Sequence, residues 1–444
     1  MTRTALSGWG RTSTSYADVV SPNNESDIAT TLATSPGVIA RGLGRSYGDA
    51  ALLSGGVVLS NRDLNGIGPI DADGVVTVGA GVSIDELLAQ SIPRGWFVPV
   101  TTGTRQVTMG GAVAADVHGK NHHVDGSIAL HVLSMRLVTP TGPVTVSPEV
   151  DAELFWATFG AMGLTGVLTS VTLRLIAIET DRVLVDTDRL ANLDAVMSAM
   201  ALGDNAYRYS VAWVDCMSRG KHMGRAILTR GVHATKSDLE SSSLSSPKDA
   251  KLVVPFDAPS GLLNPLSVRV FNEVWFRSAP RHEEREPQTL STFFHPLDGV
   301  RDWNRLYGRR GFVQYQFCVP DRSSETVVAA VDLLSSSKVA SFLAVLKRFG
   351  PANRGPLSFP LEGWTLALDL PVGSSKLSAI LDRLDELVLE GAGRVYLAKD
   401  ARLSPEKFAA MYPRRGEFLA VKERIDPEHR MSSDLARRLD LVGR

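Results

Sequence analysis

The 444 residues predict an α+β fold in two domains, and three observations carry that expectation. The first 170 residues hold 23 of the 39 glycines, and these punctuate short β-type runs: GVIARG, GGVVLS, GVVTVGAGV and LTGVLTSVTLRLIAI. Beyond Ser291 the order is strand, helix, strand, strand, helix, through GFVQYQFCVP, ETVVAAVDLLSSS, SFLAVLKRFG, WTLALDLPV and KLSAILDRLDELVLEG. That order is the pattern of helices packed on an antiparallel sheet. The residue character also changes near 180 and again near 393, which divides the chain into 1–180, 181–393 and 394–444.

Each element has a local reason. In SIDELLAQSI the apolar residues Ile84, Leu87, Leu88 and Ile92 recur at helical spacing, and Ser83 stands where an N-cap belongs. SPEVDAELFWATFG reads as a short helix stopped near Gly160. Past residue 181 glycines thin out. ANLDAVMSAMAL reads as a helix, and YRYSVAWVD and GRAILTRGV read as strands. KSDLESSSLSSPKDAK is polar and serine-rich, the composition of a mobile surface loop. In the last fifty residues, GRVYLAKD sets Lys399 and Asp400 just after a short strand. No internal repeat is visible.

Composition narrows the function classes. Lys plus Arg number 47 against 48 Asp plus Glu, so the formal charge of -1 offers no basic field for nucleic acid. The two cysteines, Cys216 and Cys318, supply neither a disulfide framework nor a thiolate metal site. The N-terminus lacks an apolar signal region, and IALHVLSMRLVTP is too short and too interrupted to span a bilayer. Peripheral membrane contact stays compatible with this composition.

Two glycine-rich segments carry the chemistry. ARGLGRSYGDA spaces Gly42, Gly44 and Gly48 as G-x-G-x-x-x-G with no apolar helix after it, which excludes the dinucleotide fingerprint of a Rossmann unit. Small residues here expose consecutive N–H groups suited to phosphate, and a plain glycine turn fits equally well. The second segment, PVTTGTRQVTMGGAVAADVHGKNHHVDGS, combines Gly110-Gly111 with Asp116, His118, Lys120 and His122. His118 and Lys120 alternate, so a strand would put both on one face. Asp116, His118, His122 and His123 are all metal-competent, but their spacing matches no zinc motif, and no metal is expected.

Together ARGLGRSYGD, TTGTRQVTMGGAVAADVHGKNHH, ELFWATFGAMGLTG and YLAKD resemble the decaprenylphosphoryl-β-D-ribose 2'-oxidase family of the vanillyl-alcohol-oxidase-like FAD superfamily. The likeness runs from GWGRT near residue 8 to SDLARRL near residue 440. It implies a non-Rossmann FAD domain made of 1–180 with the tail 394–444, and an inserted substrate domain, 181–393, on an antiparallel sheet. It implies noncovalent FAD held by Arg41, Gly42, Leu43, Gly44, Arg45, Ser46 and Tyr47 of the first run. In the second run it implies Thr104, Val107, Thr108, Gly110, Gly111, Ala114, His118, Gly119 and Asn121, followed by Gly166, Val167 and Tyr396. The implied reaction oxidises the 2'-hydroxyl of a polyprenylphosphoryl ribose. An NAD(P)H-dependent reductase partner would complete epimerisation to the arabinose donor for cell-wall arabinan in actinobacteria. The lipid substrate implies peripheral placement at the cytoplasmic membrane, with its periplasmic face a candidate.

By the same resemblance Lys399 is the base that takes the hydroxyl proton, with His118 and Tyr47 beside it as catalytic candidates. A lysine at its ordinary pKa, about 10.4, is a poor base at neutral pH, so its surroundings must lower that value. A Lys399–Asp400 surface pair is the bland alternative. Lys120, Gln314, Gln316, Lys347, Thr365 and Phe276 are the substrate-binding candidates. Along Gln314-Tyr315-Gln316 the glutamines share one strand face and Tyr315 points away. Departures from the family pattern are Thr365 and Ala367 in GWTLALD, where asparagine and cysteine are usual, and Phe276, where tyrosine is usual. Three other functions compete: an FAD oxidase of a soluble sugar, polyol or aldonolactone; an FAD scaffold without turnover; and a metal-dependent, non-enzymatic carbohydrate-binding protein. Substrate-dependent flavin bleaching, and indifference to a chelator, separate these from the family's reaction.

Overall fold

The computed structural model describes residues 3–442 except 242, 249, 251, 260, 338, 340 and 342. Positions 242, 249 and 251 of the serine-rich run, and 342 of SFLAVLKRFG, therefore lie outside the described residues.

The glycine-punctuated part forms two four-stranded sheets. In the first, the spatial order is Arg3–Ser7, Thr14–Val20, Val57–Ser60, Val38–Arg41, and Val57–Ser60 runs parallel to both its neighbours. The helix Glu25–Thr34, capped by the Asn24 side chain, supplies the crossover that such pairing needs. The second sheet is antiparallel, in the order Val75–Gly79, Val167–Arg174, Val132–Thr139, Gly142–Val146. Ile28, Leu32, Val38, Leu59, Val138 and Val167 pack between these elements. At about 1.5–3 kcal/mol for each fully buried aliphatic side chain, such a cluster offsets the backbone entropy spent on the glycine-rich turns. The helix Ile84–Ser91 opens with a capping box between Ser83 and Glu86, as its sequence predicts.

The middle of the chain builds one eight-stranded antiparallel sheet. Its order is His282–Thr289, Arg182–Leu190, Ala226–His233, Tyr209–Val214, Ala344–Phe349, Gly363–Pro371, Phe312–Pro320, Arg394–Val395. Strand alternation sorts the residues. Phe317, Leu366, Leu368 and Leu346 are paired across the ladder on one face, against the helices Glu325–Ser337 and Leu377–Glu390. On the opposite face Gln314 pairs with Asp369, Gln316 with Ala367, and Thr365 with Lys347, so this face carries the polar candidates.

The tail closes the molecule. Arg394–Val395 joins the central sheet beside Phe317 and Cys318. Further on, Arg438 donates to Asp49 and Asp400, and Asp434 accepts from Ser15 and from the Ser54 amide. These bonds stitch the last residues to the first sheet, an arrangement that supports the three-segment division as a proposal.

One expectation needs correcting. The run around His118 is no strand. His118 makes a single bridge to Ser127. Gly119 then presses so close to the Thr101 carbonyl that a Cβ there would lie 2.9 Å from it, which turns the chain and sends Lys120 to the Phe293 carbonyl. The described part of the serine-rich run is a largely exposed loop, as expected, and Ser243 and Ser245 bind the Asp181 carboxylate. Among the described residues both cysteines are free and buried, and no helix is long and apolar enough to cross a membrane.

Candidate active site

Three distant stretches converge because glycine lets their backbones touch. In the GWG run, Trp9 donates to the Ser46 carbonyl at 2.8 Å, and Phe312 donates to Gly10 at 2.8 Å. Tyr47 donates to the Ala398 carbonyl at 2.9 Å. Gly48 sits so tightly on the YLAKD turn that a Cβ there would lie 1.9 Å from the Asp400 carbonyl oxygen. The glycine loop, the Gln314 strand and the Lys399 turn are thus one unit.

The two glycine segments also meet each other. A Cβ on Gly42 would fall 2.2 Å from Thr108 Oγ1, and Arg45 Nε donates to the Gln106 carbonyl at 3.2 Å. Among the described residues, the N–H groups of Leu43, Gly44, Arg45 and Ser46 enter no backbone hydrogen bond. Gly44 has φ 63°, the left-handed turn that makes consecutive amides converge. This nest, with Arg41 and Arg45 beside it, fits a pyrophosphate. A second observation fits a planar ring. His118 is buried against Phe349, Phe359 and Tyr396, and its Nδ1 has no partner. Gln316 donates to His118 Nε2 at 2.9 Å, so the imidazole proton belongs on Nδ1 and is free to donate to a bound group. These features fit FAD.

Around that ring position stand three lysines. Lys399 Nζ lies 4.2 Å from the Tyr47 ring centroid, and Asp369 is its nearest anion. Burial pushes Lys399 down to about 7; the Asp369 carboxylate opposes that shift, and Lys347 adds to it. Burial and Lys347 lower Lys120 to about 7, and burial lowers Lys347 to about 8. Desolvation, followed by Lys347, His122 and Lys399, holds His118 far below the usual imidazole range, so it is neutral. Burial and the Asp369 charge raise Tyr47 well above the usual phenol range, so it keeps its proton at neutral pH. Asp400 does not pair with Lys399. Its carboxylate is spent on Arg438, the Arg402 amide and the Leu403 amide, which disposes of the surface-pair alternative.

The glutamines divide the labour. Gln314 donates to Asp369, and Tyr307 donates to the other oxygen of the same carboxylate at 3.2 Å. Gln316 uses both amide hydrogens, one on His118 and one on Thr365 Oγ1 at 3.1 Å. The Thr365 hydroxyl itself donates to the Phe317 carbonyl at 2.8 Å, which fixes Gln316's amide orientation. The Gln316 amide nitrogen is thus committed, and its oxygen is the atom left for a further hydrogen bond. Tyr315 turns to the other face and donates to Asp385 at 2.9 Å, as the strand alternation requires.

Not every candidate converges. Phe276 ends the helix Pro265–Ser278, where the guanidiniums of Arg225 and Arg189 cover its ring at 4.5 and 5.4 Å. Among the described contacts it meets none of the lysines, because the helix lies over the far strands of the sheet. Asn121 spends its amide on the Pro99 carbonyl and Asp125, and so staples its own loop. Tyr396 donates to the Ala115 carbonyl at 2.8 Å and walls the pocket through its ring. Val167 turns into a side cluster of the core. Thr104 donates to Asp298, Thr108 caps the helix Met109–Ala114, Val107 is half-buried, Ala114 ends that helix and accepts from the Met162 amide, and Gly166, at φ 139°, leads into the strand Val167–Arg174. The sequence reading missed Asp369 and Tyr307. The only signal for Asp369 was its i+2 spacing from Ala367 on an otherwise apolar strand.

The fold and this cradle define an FAD-linked oxidoreductase, and the comparisons agree. Residues 17–147 match the family model described as an FAD binding domain. The chain is 43% identical to the decaprenylphosphoryl-β-D-ribose oxidase of Mycolicibacterium smegmatis, over 98% of this chain and 97% of that one. It is 37% identical to an uncharacterised protein from the mprA 5' region of Streptomyces coelicolor, over 81% of this chain and 100% of that one. An uncharacterised oxidoreductase of Rhodococcoides fascians is 30% identical over 36% of this chain and 37% of its own. The chain belongs to the decaprenylphosphoryl-β-D-ribose oxidase family. It is an FAD flavoprotein.

Proposed function

We propose that this chain oxidises the 2'-hydroxyl of a polyprenylphosphoryl ribose to the 2'-keto sugar, the first half of an epimerisation that an NAD(P)H-dependent reductase completes. The observation that carries the reading is the seating of Lys399 over the Tyr47 ring, on a turn bonded to the glycine loop and beside the His118–Gln316 pair. Bound FAD supplies the acceptor for the hydride that leaves the sugar carbon. The sugar hydroxyl proton passes to Lys399 Nζ, which needs to be neutral to receive it. Asp369 acts on Lys399 through its charge and is itself positioned by Gln314 and Tyr307. Lys120 and Lys347 set positive charge where an anionic phosphate can be matched, and the Gln316 oxygen accepts from a sugar hydroxyl. The Leu43–Ser46 amides and Arg45 hold the cofactor phosphates, and the Nδ1 proton of His118 faces the flavin. The flavin is held without a covalent bond, as the family resemblance implies.

The polyprenyl chain of such a substrate is embedded in lipid, so the enzyme works peripherally at the cytoplasmic membrane. The test is anaerobic mixing of the purified yellow protein with polyprenylphosphoryl ribose. Flavin bleaching with formation of one keto sugar per flavin is expected. Bleaching by free polyols but not by the lipid-linked sugar would replace this reading with a soluble-sugar oxidase. Acid precipitation checks attachment: the flavin should stay in the supernatant.

A further inference from the structure

Fifteen large apolar side chains are exposed among the described residues, and nine of them lie between Leu252 and Trp275. That concentration in one segment is unlike scattered surface hydrophobics, which need no explanation. The helix Pro265–Ser278 is its centre. Only Val268 and Asn272 of this helix are buried, and Asn272 ties it to the body by donating to Asp215 at 2.7 Å. Leu266, Val270 and Val274 recur every fourth residue, a stripe 72, 56 and 63% exposed, and Trp275, stacked on Phe271, extends it. A helix that turns this much apolar surface outward, beside a narrow buried edge, is shaped for a second apolar medium.

Charge identifies that medium. Arg269 and Arg277 lie on the helix, and Arg301, Arg305, Arg309 and Arg310 follow within ten residues of one another. The second group is joined to the apolar segment that precedes the helix, and Leu263 packs with Trp303 and Tyr307. Leu252–Val253 pairs with Val300–Arg301, and Arg305 donates to the Val254 and Pro255 carbonyls. Among the described ion pairs Arg277 is matched by Glu273 and Arg11 by Asp257, so the net positive rim of this face comes from Arg269, Arg301, Arg305, Arg309 and Arg310. A second copy docked here would set arginine rim against arginine rim, which like-charge repulsion opposes. An anionic lipid surface matches both features: apolar side chains reach the acyl boundary, and guanidiniums meet the phosphates. The face is also continuous with the site. Phe256 lines a cavity of about 360 Å³ with Arg11, Arg305 and Arg309, and the adjoining cavity shares Arg11 and Arg305 with Arg41 and Gly44 of the glycine loop.

We propose that the exposed face of the helix Pro265–Ser278, with Phe256 and Leu262, is the surface that seats this enzyme on an anionic bilayer, on the side where the cavities by Phe256 and the glycine loop open. The proposal rests on the reading that the substrate is a membrane lipid. The full-length, FAD-loaded protein is floated with vesicles of phosphatidylcholine mixed with phosphatidylglycerol, and with phosphatidylcholine alone. It should float with the mixed vesicles and much less with the neutral ones. The double variant Val270→Asp/Val274→Asp, at exposed positions outside the catalytic pocket, should bind mixed vesicles at least about tenfold more weakly. Its flavin spectrum and its turnover of detergent-dispersed substrate should match the parent. A variant that floats as well as the parent overturns the proposal. So does a parent that ignores both vesicles, and so does a parent dimer that the variant converts to monomer. A parent that floats and loses flotation on substitution, yet does not oxidise the dispersed lipid sugar, supports the docking face and refutes the substrate reading instead.

Discussion

Replacing Lys399 by methionine tests the chemistry most directly. Methionine keeps an apolar stem against the Tyr47 ring, now 4.2 Å from the lysine nitrogen, and removes the amine. The size of the effect follows from the pocket. At pH 7 a lysine near its ordinary value of 10.5 is neutral in about one molecule in 3,000, whereas at about 7 it is neutral in about half of them. The pocket therefore raises the usable base by about a thousandfold, and a positioned general base contributes roughly 100- to 10,000-fold. Lys399→Met should slow flavin reduction by at least about 100-fold, on the order of 3 kcal/mol in barrier. FAD content should match the parent, since the nest at Leu43–Ser46 is untouched. The sign of the pH dependence is fixed too. The ammonium form cannot accept a proton, so the parent's rate should climb as pH rises through about 7 and then level, and the variant should lose that limb. Rapid mixing under anaerobic conditions reads both. A folded, FAD-replete variant that bleaches within about threefold of the parent, with the same pH limb, would refute the assignment.

The neighbours should move that limb in opposite directions. Asp369 raises the lysine's affinity for its proton and Lys347 lowers it, so Asp369→Asn should shift the limb to lower pH and Lys347→Met to higher pH. Shifts of the same sign would show that Asp369 acts only on folding. Gly48→Ala drives a Cβ into the Asp400 carbonyl and should cost about 1–3 kcal/mol in thermal unfolding while reducing flavin-reduction rate through the displaced Lys399 turn. A melting temperature and rate equal to the parent's would contradict the contact. Ala367 pairs with Gln316 and Val345 on the pocket face, so Ala367→Cys should preserve sugar oxidation and add a thiol that a pocket-directed reagent labels. Lost flavin reduction in a folded variant would place this position within the catalytic set.

Local pattern made most of the fold legible. The spacing of Ile84, Leu87 and Leu88 behind Ser83, and the alternation around Tyr315, act over a few residues and survive into the structure. The site was legible mainly as glycine. Gly42, Gly48 and Gly110-Gly111 announced close backbone approach but not its partner, because the partner of Gly48 lies at Asp400, far away in sequence. Asp369 stayed hidden for the same reason: its importance comes from Gln314 and Tyr307 on other elements. His118 and Lys120 were misread as a strand pair because alternation cannot reveal a turn imposed by the Thr101 carbonyl on Gly119. Phe276 was placed by motif alone, and the packing of Arg189 and Arg225 on its ring carries it elsewhere.

The electrostatics explain why the chain spends so many glycines to bring three segments together. One buried lysine loses proton affinity through desolvation, but a fixed carboxylate beside it restores much of that affinity. For Lys399 desolvation outweighs the Asp369 charge, so the amine stays lowered with the carboxylate present. Lys347 adds a smaller push in the same direction as burial, and it reaches Lys399 from a different strand than Asp369 does. The environment of the amine therefore depends on the Gly363–Pro371 strand, the Ala344–Phe349 strand and the Lys399 turn together, and the turn is seated by Gly48 and Tyr47 of the glycine loop. The same loop carries the free amides of the cofactor nest. On the proposed reading, seating of the glycine loop and placement of Lys399 are coupled, because Tyr47 bonds to Ala398 and Gly48 packs on Asp400.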